Sequence, residues 1–240
     1  MMRTFMYSLL PVVAAILAAA IAALQKPSAV MKSLTQHLAA GVVFAAVAVE
    51  MGPDLLKRHE SVSTAVGFSL GVAILVGLRV LTGEGSSESE DTADSGTSTT
   101  FFATVAADLL VDGLMIGIGF VAGAKAGLLL TIALTLELIS LGLALVGQLR
   151  ESGKNKAQAI GTTALLTTLV PIGTLIGIVG LSRMPGAVVN GTIAAGTAAL
   201  LYLVTEELLK EAHEQPEGPL TTATFFLGFL MVLLLDMQLG

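Results

Sequence analysis

Runs of apolar residues, each about as long as a helix that crosses a hydrocarbon core, alternate along this chain with short polar, glycine- or proline-bearing breaks. The pattern predicts eight transmembrane helices, at about 5–24, 34–55, 62–82, 101–122, 125–149, 157–181, 187–209 and 219–239. Lys26-Pro27, Pro53-Asp54 and the stretch from Pro216 to Pro219 mark three of the breaks. The narrowest is Gly123-Ala124-Lys125, between the fourth run and the fifth. One break is long: 83–100 reads GEGSSESEDTADSGTSTT, acidic and without an aromatic residue, and predicts a disordered, solvated loop. The first run, with Arg3 ahead of it, has the outline of a signal peptide, but the spans that follow make it a first membrane helix.

Composition agrees with this reading. Hydrophobic residues make up 54% of the chain and charged residues 12%, with mean hydropathy +0.87, against about 25% charged in a soluble domain. The fold class expected is an all-α polytopic membrane protein, with 1–240 as a single transmembrane domain. A net charge of −6 and the lack of a basic cluster argue against a nucleic-acid partner. With no cysteine, disulfides and thiolate metal ligands are excluded. Loop charge sets the orientation. Arg3, Lys57, Arg58, Lys125 and Arg183 fall on the side of the termini; Lys26, Lys32, Arg79, Arg150, Lys154, Lys156 and Lys210 fall on the other. The excess places both termini outside the cell membrane and the 83–100 loop in the cytoplasm.

Within this apolar background three acids stand out. Asp108 and Asp112 lie inside the fourth span and Glu137 inside the fifth. A charge near a bilayer centre costs roughly 2.5–3.5 kcal/mol on insertion scales, so such residues face a cavity, a partner or a bound ion. Asp108 and Asp112 are one helical turn apart on one face. Gly113 and Met115 extend that stripe, and Gly113, Gly117 and Gly119 admit a close neighbouring helix. Glu137 shares a stripe with Ser140 and Leu141. Three acids side by side would repel, and a divalent cation would relieve that repulsion. Protonated, hydrogen-bonded structural acids and a proton relay are the other two readings, and a cation site is favoured over both.

Other polar positions are candidates for a pathway. Glu50, beside Pro53 and Asp54, is either part of a mouth or an interfacial residue. Glu206, Glu207, Glu211 and His213 run down the end of the seventh span. Glu207 and Glu211, with Glu214, share a face that either collects cations at an inner mouth or is a solvated helix end. His37 opens the second span as a helix-start residue or a mouth ligand. His59 reads as an exposed loop residue, and Asp236 as meeting water or a neighbour near the outer surface.

Taken together, several segments carry a family likeness. HLAAGVVFAAVAVEMGPDLL resembles the second helix of the ZIP family of divalent metal transporters, and AAGTAALLYLVTEELLKEAHE its seventh. TTATFFLGFLMVLLLD resembles the eighth, LTTLVPIGTLIG the sixth, and DLLVDGLMIGIG the fourth-helix pattern His-Asn-x-x-Asp/Glu-Gly. The ordered set carries the resemblance more than any one segment does. It implies eight helices with an inverted repeat of helices 1–3 and 6–8 around helices 4 and 5, both termini outside, a variable cytoplasmic loop and a homodimer.

The same resemblance implies a metal site, altered here. The first fourth-helix ligand, usually His, falls on Asp108; the neighbouring Asn position is Leu109; the acidic ligand is Asp112. On the fifth helix, usually His-x-x-Pro-Glu-Gly, the first position is Glu137 and the Glu position is Leu141. The family's prolines become Val111 and Ser140, and a sixth-helix Glu becomes Val170 before Pro171. One all-oxygen site of Asp108, Asp112 and Glu137 is therefore expected, and a second site at Leu109, Leu138, Leu141 and Val170 is lost. Such donors favour harder ions such as Mn²⁺, Mg²⁺ or Ca²⁺, although Zn²⁺ would still bind. Zinc, manganese, iron and cadmium are the substrates to consider, carried toward the cytoplasm; no separate cofactor is expected. A proton-linked or non-metal transporter, and a transport-inactive scaffold of the same ancestry, are the alternatives. Without a nucleophile–base pair, a phosphate loop or a His-Glu-x-x-His helix, an enzyme is not expected.

Overall fold

The computed structural model describes residues 2–25, 27–82, 99–213 and 218–239. Among these, eight long helices follow one another: α1 (Met2–Leu24), α2 (Ala29–Arg58), α3 (Ser61–Thr82), α4 (Thr99–Ala122), α5 (Ala124–Glu151), α6 (Lys156–Leu181), α7 (Gly186–Leu208, continued by Leu209–His213) and α8 (Pro219–Leu239). Seven are long and apolar enough to cross a membrane, and α3 has a shorter apolar portion, Ser61–Gly77. Most of the expected 83–100 loop lies outside the described residues, but Thr99 and Thr100 already belong to α4.

Local chemistry explains the boundaries. The side chain of Ser28 caps α2 by accepting from Met31 N at 3.2 Å, so this helix starts at Ala29 rather than near 34. At its other end His59 takes a left-handed conformation, φ 54°, and is exposed as expected. Gly123 alone breaks α4 from α5. Gly153, φ +84°, turns the chain after α5, and Asn155 with Gln158 forms a reciprocal cap that opens α6. Midway, α6 breaks at Thr168. Pro171 has no N–H to give to the Thr167 carbonyl, and its ring crowds that carbonyl. With Val111 and Ser140 in place of proline, α4 and α5 run unbroken.

The helices pack in two groups. In one, α1 lies along α5, and α4 lies along both α5 and the second half of α6; in the other, α3 lies along α7 and α2 along α8. Contact of α2 with α5 joins the groups. Exchanging α1 with α6, α2 with α7, α3 with α8 and α4 with α5 maps each of the four main pairings onto another, as an inverted repeat requires. Glycines close the pairs: Gly113 of α4 abuts the Val170 carbonyl of α6, and Gly67 of α3 abuts the Gly191 backbone of α7. Without a hydrophobic drive between helices in lipid, such backbone approach is a principal source of adhesion.

Widened turns also repeat in α2 and α7. Residues Val47–Met51 and Leu203–Leu208 are π-helical, with Gly52 N bonded to Val47 O and Leu209 N to Val204 O. In α2 the widened turn ends two residues before Pro53, which cannot donate to the preceding turn. Each widened turn carries an acid: Glu50 in one, Glu206 and Glu207 in the other.

One polar pin holds α3 to α7. Buried Asn190 donates through Nδ2 to Ser63 Oγ at 2.8 Å, Thr64 Oγ1 at 2.9 Å and the Glu60 carbonyl at 3.3 Å. Asn190→Ala removes the donor to the Ser63 and Thr64 hydroxyl oxygens, while the Glu60 carbonyl still accepts from Ser63 Oγ and Thr64 N, and a cost of about 1–3 kcal/mol is expected. A thermal-shift measurement in detergent would show it as a lowered melting temperature, and an unchanged one would remove the pin from the account.

Candidate metal centre

The centre follows from helix geometry. On either side of Gly123, Asp108 and Glu137 sit at nearly equal depth, about 21–23 Å at 1.5 Å per residue. Asp112 sits one turn nearer the break, on the face of Asp108. Because α4 packs directly on α5, three acids from two helices meet. Asp108, Asp112 and Glu137 each offer a carboxylate oxygen, and these oxygens all lie within 4.8 Å of one another. Asp108 is half-buried; Asp112 and Glu137 are both 3% exposed.

Electrostatically the centre is one-sided. From Thr99 to Ala122 in α4 and from Ala126 to Leu149 in α5 the sequence places no Lys, Arg or His. Asp108 and Glu207, both acids, act on Asp112 through their charges. Asp112 Oδ2 is buried and makes no hydrogen bond, an arrangement that costs stability unless something else satisfies the oxygen. Two oxygens bound to one transition-metal ion at about 2.1 Å lie at most about 4.2 Å apart, and around Ca²⁺ they reach about 5 Å. With every oxygen within 4.8 Å of the others, the triad is close enough together for one divalent ion to span it. Its oxygen donors suit that ion chemically.

The second cluster of positions is apolar and packed. Leu109, Leu138 and Val170 are fully buried, and Leu141 is partly buried against the core. Nothing in that set offers a ligand atom. Ser140 is buried beside the centre on α5. Met115, one turn beyond Asp112, reaches α7: a Cβ on Gly196 would come within 2.6 Å of Met115 Sδ and 3.7 Å of Met51 Cε.

The remaining candidates divide between the two ends of the bundle. At one end, Glu50 and Asp236 both meet Lys125 Nζ, at 3.9 and 2.8 Å. Counted in sequence only as loop charge, Lys125 is in fact their shared ion-pair partner. At the other end, His37 corrects the expectation of a helix-start residue. The earlier start of α2 places it about two turns inside the helix, 2% exposed, with Nδ1 2.9 Å from the Ser33 carbonyl. Its ring lies 5.6 Å from that of His213, whose Nδ1 contacts the Leu209 carbonyl. Glu206 and Glu207 are exposed on the widened turn of α7. Glu211 lies in the final turn of that helix with its side chain outside the described set, and Glu214 lies outside the described residues. Neither widened turn was legible in sequence, and nothing in α7 comparable to Pro53 could have marked the second one.

A polytopic helical membrane protein with a carboxylate centre buried between two of its helices is the class that this arrangement defines. The family model of the ZIP zinc transporters matches residues 81–236, and the chain belongs to that family. It is 33% identical over 131 residues to the zinc transporter GufA of Myxococcus xanthus, covering 54% of this chain and 51% of that protein. To the zinc transporter ZIPB of Bordetella bronchiseptica it is 28% identical over 143 residues, covering 58% of this chain and 45% of that protein. The chain spans about half the length of the curated relatives it matches.

Proposed function

We propose that this chain carries a divalent metal cation across a cell membrane toward the cytoplasm, through one intramembrane site made by Asp108, Asp112 and Glu137. The observation that carries the reading is their convergence, with Asp112 Oδ2 buried and unbonded. A cation supplies the opposite charge that the centre lacks. Both relatives bear the name zinc transporter, which supports a transition-metal substrate; the absence of nitrogen donors among the three broadens the range to Mn²⁺, Fe²⁺ and Cd²⁺. Loop charge supports outside termini, which makes the Lys125 end the outer one. From the site, Glu207, Glu211, His213 and His37 would lead inward, and Glu50, Met115 and Ser140 would line the outer approach. Alternating access would come from the group α1, α4, α5, α6 moving against the group α2, α3, α7, α8, around a central site as in repeat-built transporters. A homodimer is the assembly proposed.

Flux into proteoliposomes, measured for Zn²⁺, Mn²⁺, Fe²⁺ and Cd²⁺, tests this directly. Uptake of at least one of these ions, saturable and above protein-free vesicles, is expected; no uptake of any would end the proposal. Because the second cluster is apolar, equilibrium titration should saturate at one tightly held ion per protomer. Two ions of similar affinity would refute the single site. A proton relay along the same buried acids is the second reading. Proton flux that continues without any divalent cation would favour it.

A further inference from the structure

Seen as a whole, the Lys125 end has an asymmetric charge plan across the seam between the two helix groups. Glu50 of α2 and Asp236 of α8 belong to one group, where α2 and α8 pack along each other. Lys125, in the first turn of α5, belongs to the other. Its ammonium lies 2.8 Å from Asp236 Oδ1 and 3.9 Å from Glu50 Oε2, with all three side chains only partly exposed. Beneath this bridge a second contact crosses the same seam, where Met115 of α4 fills the space over Gly196 of α7 beside Met51 of α2.

We infer that Lys125 is a latch: its ammonium occupies the acid pair Glu50–Asp236 as a tethered cation, holds the two helix groups together at this end, and yields the pair to an arriving divalent cation. The chemistry suits reversible exchange. A lysine ammonium is a compact point charge on a flexible stem, without the bidentate fork that fixes an arginine to a carboxylate. Partly exposed ion pairs are weak and easily given up. A divalent ion brings twice the charge to the same two carboxylates. Once Lys125 withdraws, no ion pair joins the groups here among the described residues, and only packing contacts, that of Met115 among them, remain to be parted. The inference rests on the reading that the two groups move against each other, and it adds the group that holds them closed.

Because the natural chain has no cysteine, a single introduced thiol reports alone. Met115→Cys is buried beneath the latch, while Ser182→Cys, exposed on the loop at the same end, serves as the labelling and folding control. A membrane-impermeant maleimide is applied to intact cells and to inverted vesicles. In the Met115→Cys background, adding Lys125→Gln should speed labelling of the buried thiol from the Lys125 side by up to about fivefold, the shift that loss of one such ion pair allows. The double substitution Glu50→Gln, Asp236→Asn should do the same, and Lys125→Arg should label slowly like the parent. Mn²⁺, which thiolates hold less firmly than Zn²⁺, should speed labelling in the parent but not in Lys125→Gln. Unchanged labelling in Lys125→Gln with normal labelling of the Ser182→Cys control overturns the latch, as does a Mn²⁺ effect that survives Lys125→Gln. The readout needs no flux, so loss of transport alone, with the labelling pattern intact, would count against the proposed function and leave the latch standing.

Discussion

Asp112→Asn should lower cation flux at least about 100-fold, because it removes a charged ligand from a site with only two others, where loss of even an outer partner typically costs 10–100-fold. Asn is nearly the same size as Asp, so packing around this 3%-exposed side chain is preserved. Without metal, the variant should be at least as stable as the parent. Asp112 faces the charges of Asp108 and Glu207, and Oδ2 makes no hydrogen bond, so removing its charge takes away repulsion and desolvation together. The two effects separate function from folding. Stabilisation of the parent by added Mn²⁺ or Zn²⁺, the thermal signature of binding to the folded state, should vanish in Asp112→Asn while the metal-free melting temperature holds or rises. Flux within twofold of the parent would remove Asp112 from the site. A fall in metal-free stability would instead make it a structural acid held by an interaction of its own.

Much of this centre was legible before any coordinates, for a specific reason. The sequence placed the acids in two consecutive spans, and because helical rise is constant and Asp108 and Glu137 are nearly equally far from Gly123, packing of α4 on α5 brings them together. Spacing put Asp112 on the face of Asp108. The expectation of no second set of ligands came from the family resemblance, which puts ligand positions on Leu109, Leu138 and Val170, and the structure buries all three completely. What stayed hidden depended on partners far apart in sequence or on departures from the α-helix. Lys125 looked like a loop charge because its acids come from α2 and α8. His37 looked like a helix start because the apolar run begins after the Ser28 cap, whereas hydrogen bonding begins at the cap itself. The widened turn at Leu203–Leu208, which holds Glu206 and Glu207, departs from regular α spacing, and the other two acids of the expected face, the side chain of Glu211 and the whole of Glu214, lie outside the described set. Periodicity reads regular elements well and is blind to a single inserted residue.

The second large effect concerns the backbone seam beside the centre. Gly113 immediately follows Asp112, and a Cβ there would collide with the Val170 carbonyl and come within 3.0 Å of Gly173 Cα. The clash is mutual, since a Cβ on Gly173 would lie 2.9 Å from Leu114 N and 3.1 Å from Gly113 Cα. Backbone cannot swing aside as a long side chain can, so α4 and α6 must separate along their contact. Gly113→Val is therefore expected to cost about 3 kcal/mol or more, the upper end for an overpacked interior, lowering the melting temperature by roughly 6–12 °C. It should also lower flux, because separating the helices displaces Asp112, the neighbouring residue. Gly161→Ala, in α6 where nothing lies within 4 Å of the new Cβ, is the matched control. It should keep flux and gain about 0.5–1 kcal/mol from the lost backbone freedom of glycine. Thermal melts in detergent and proteoliposome flux on the pair decide the matter. If Gly113→Val melts with the parent, the α4–α6 seam is looser than a glycine contact implies, and the distances around the centre are not held by it.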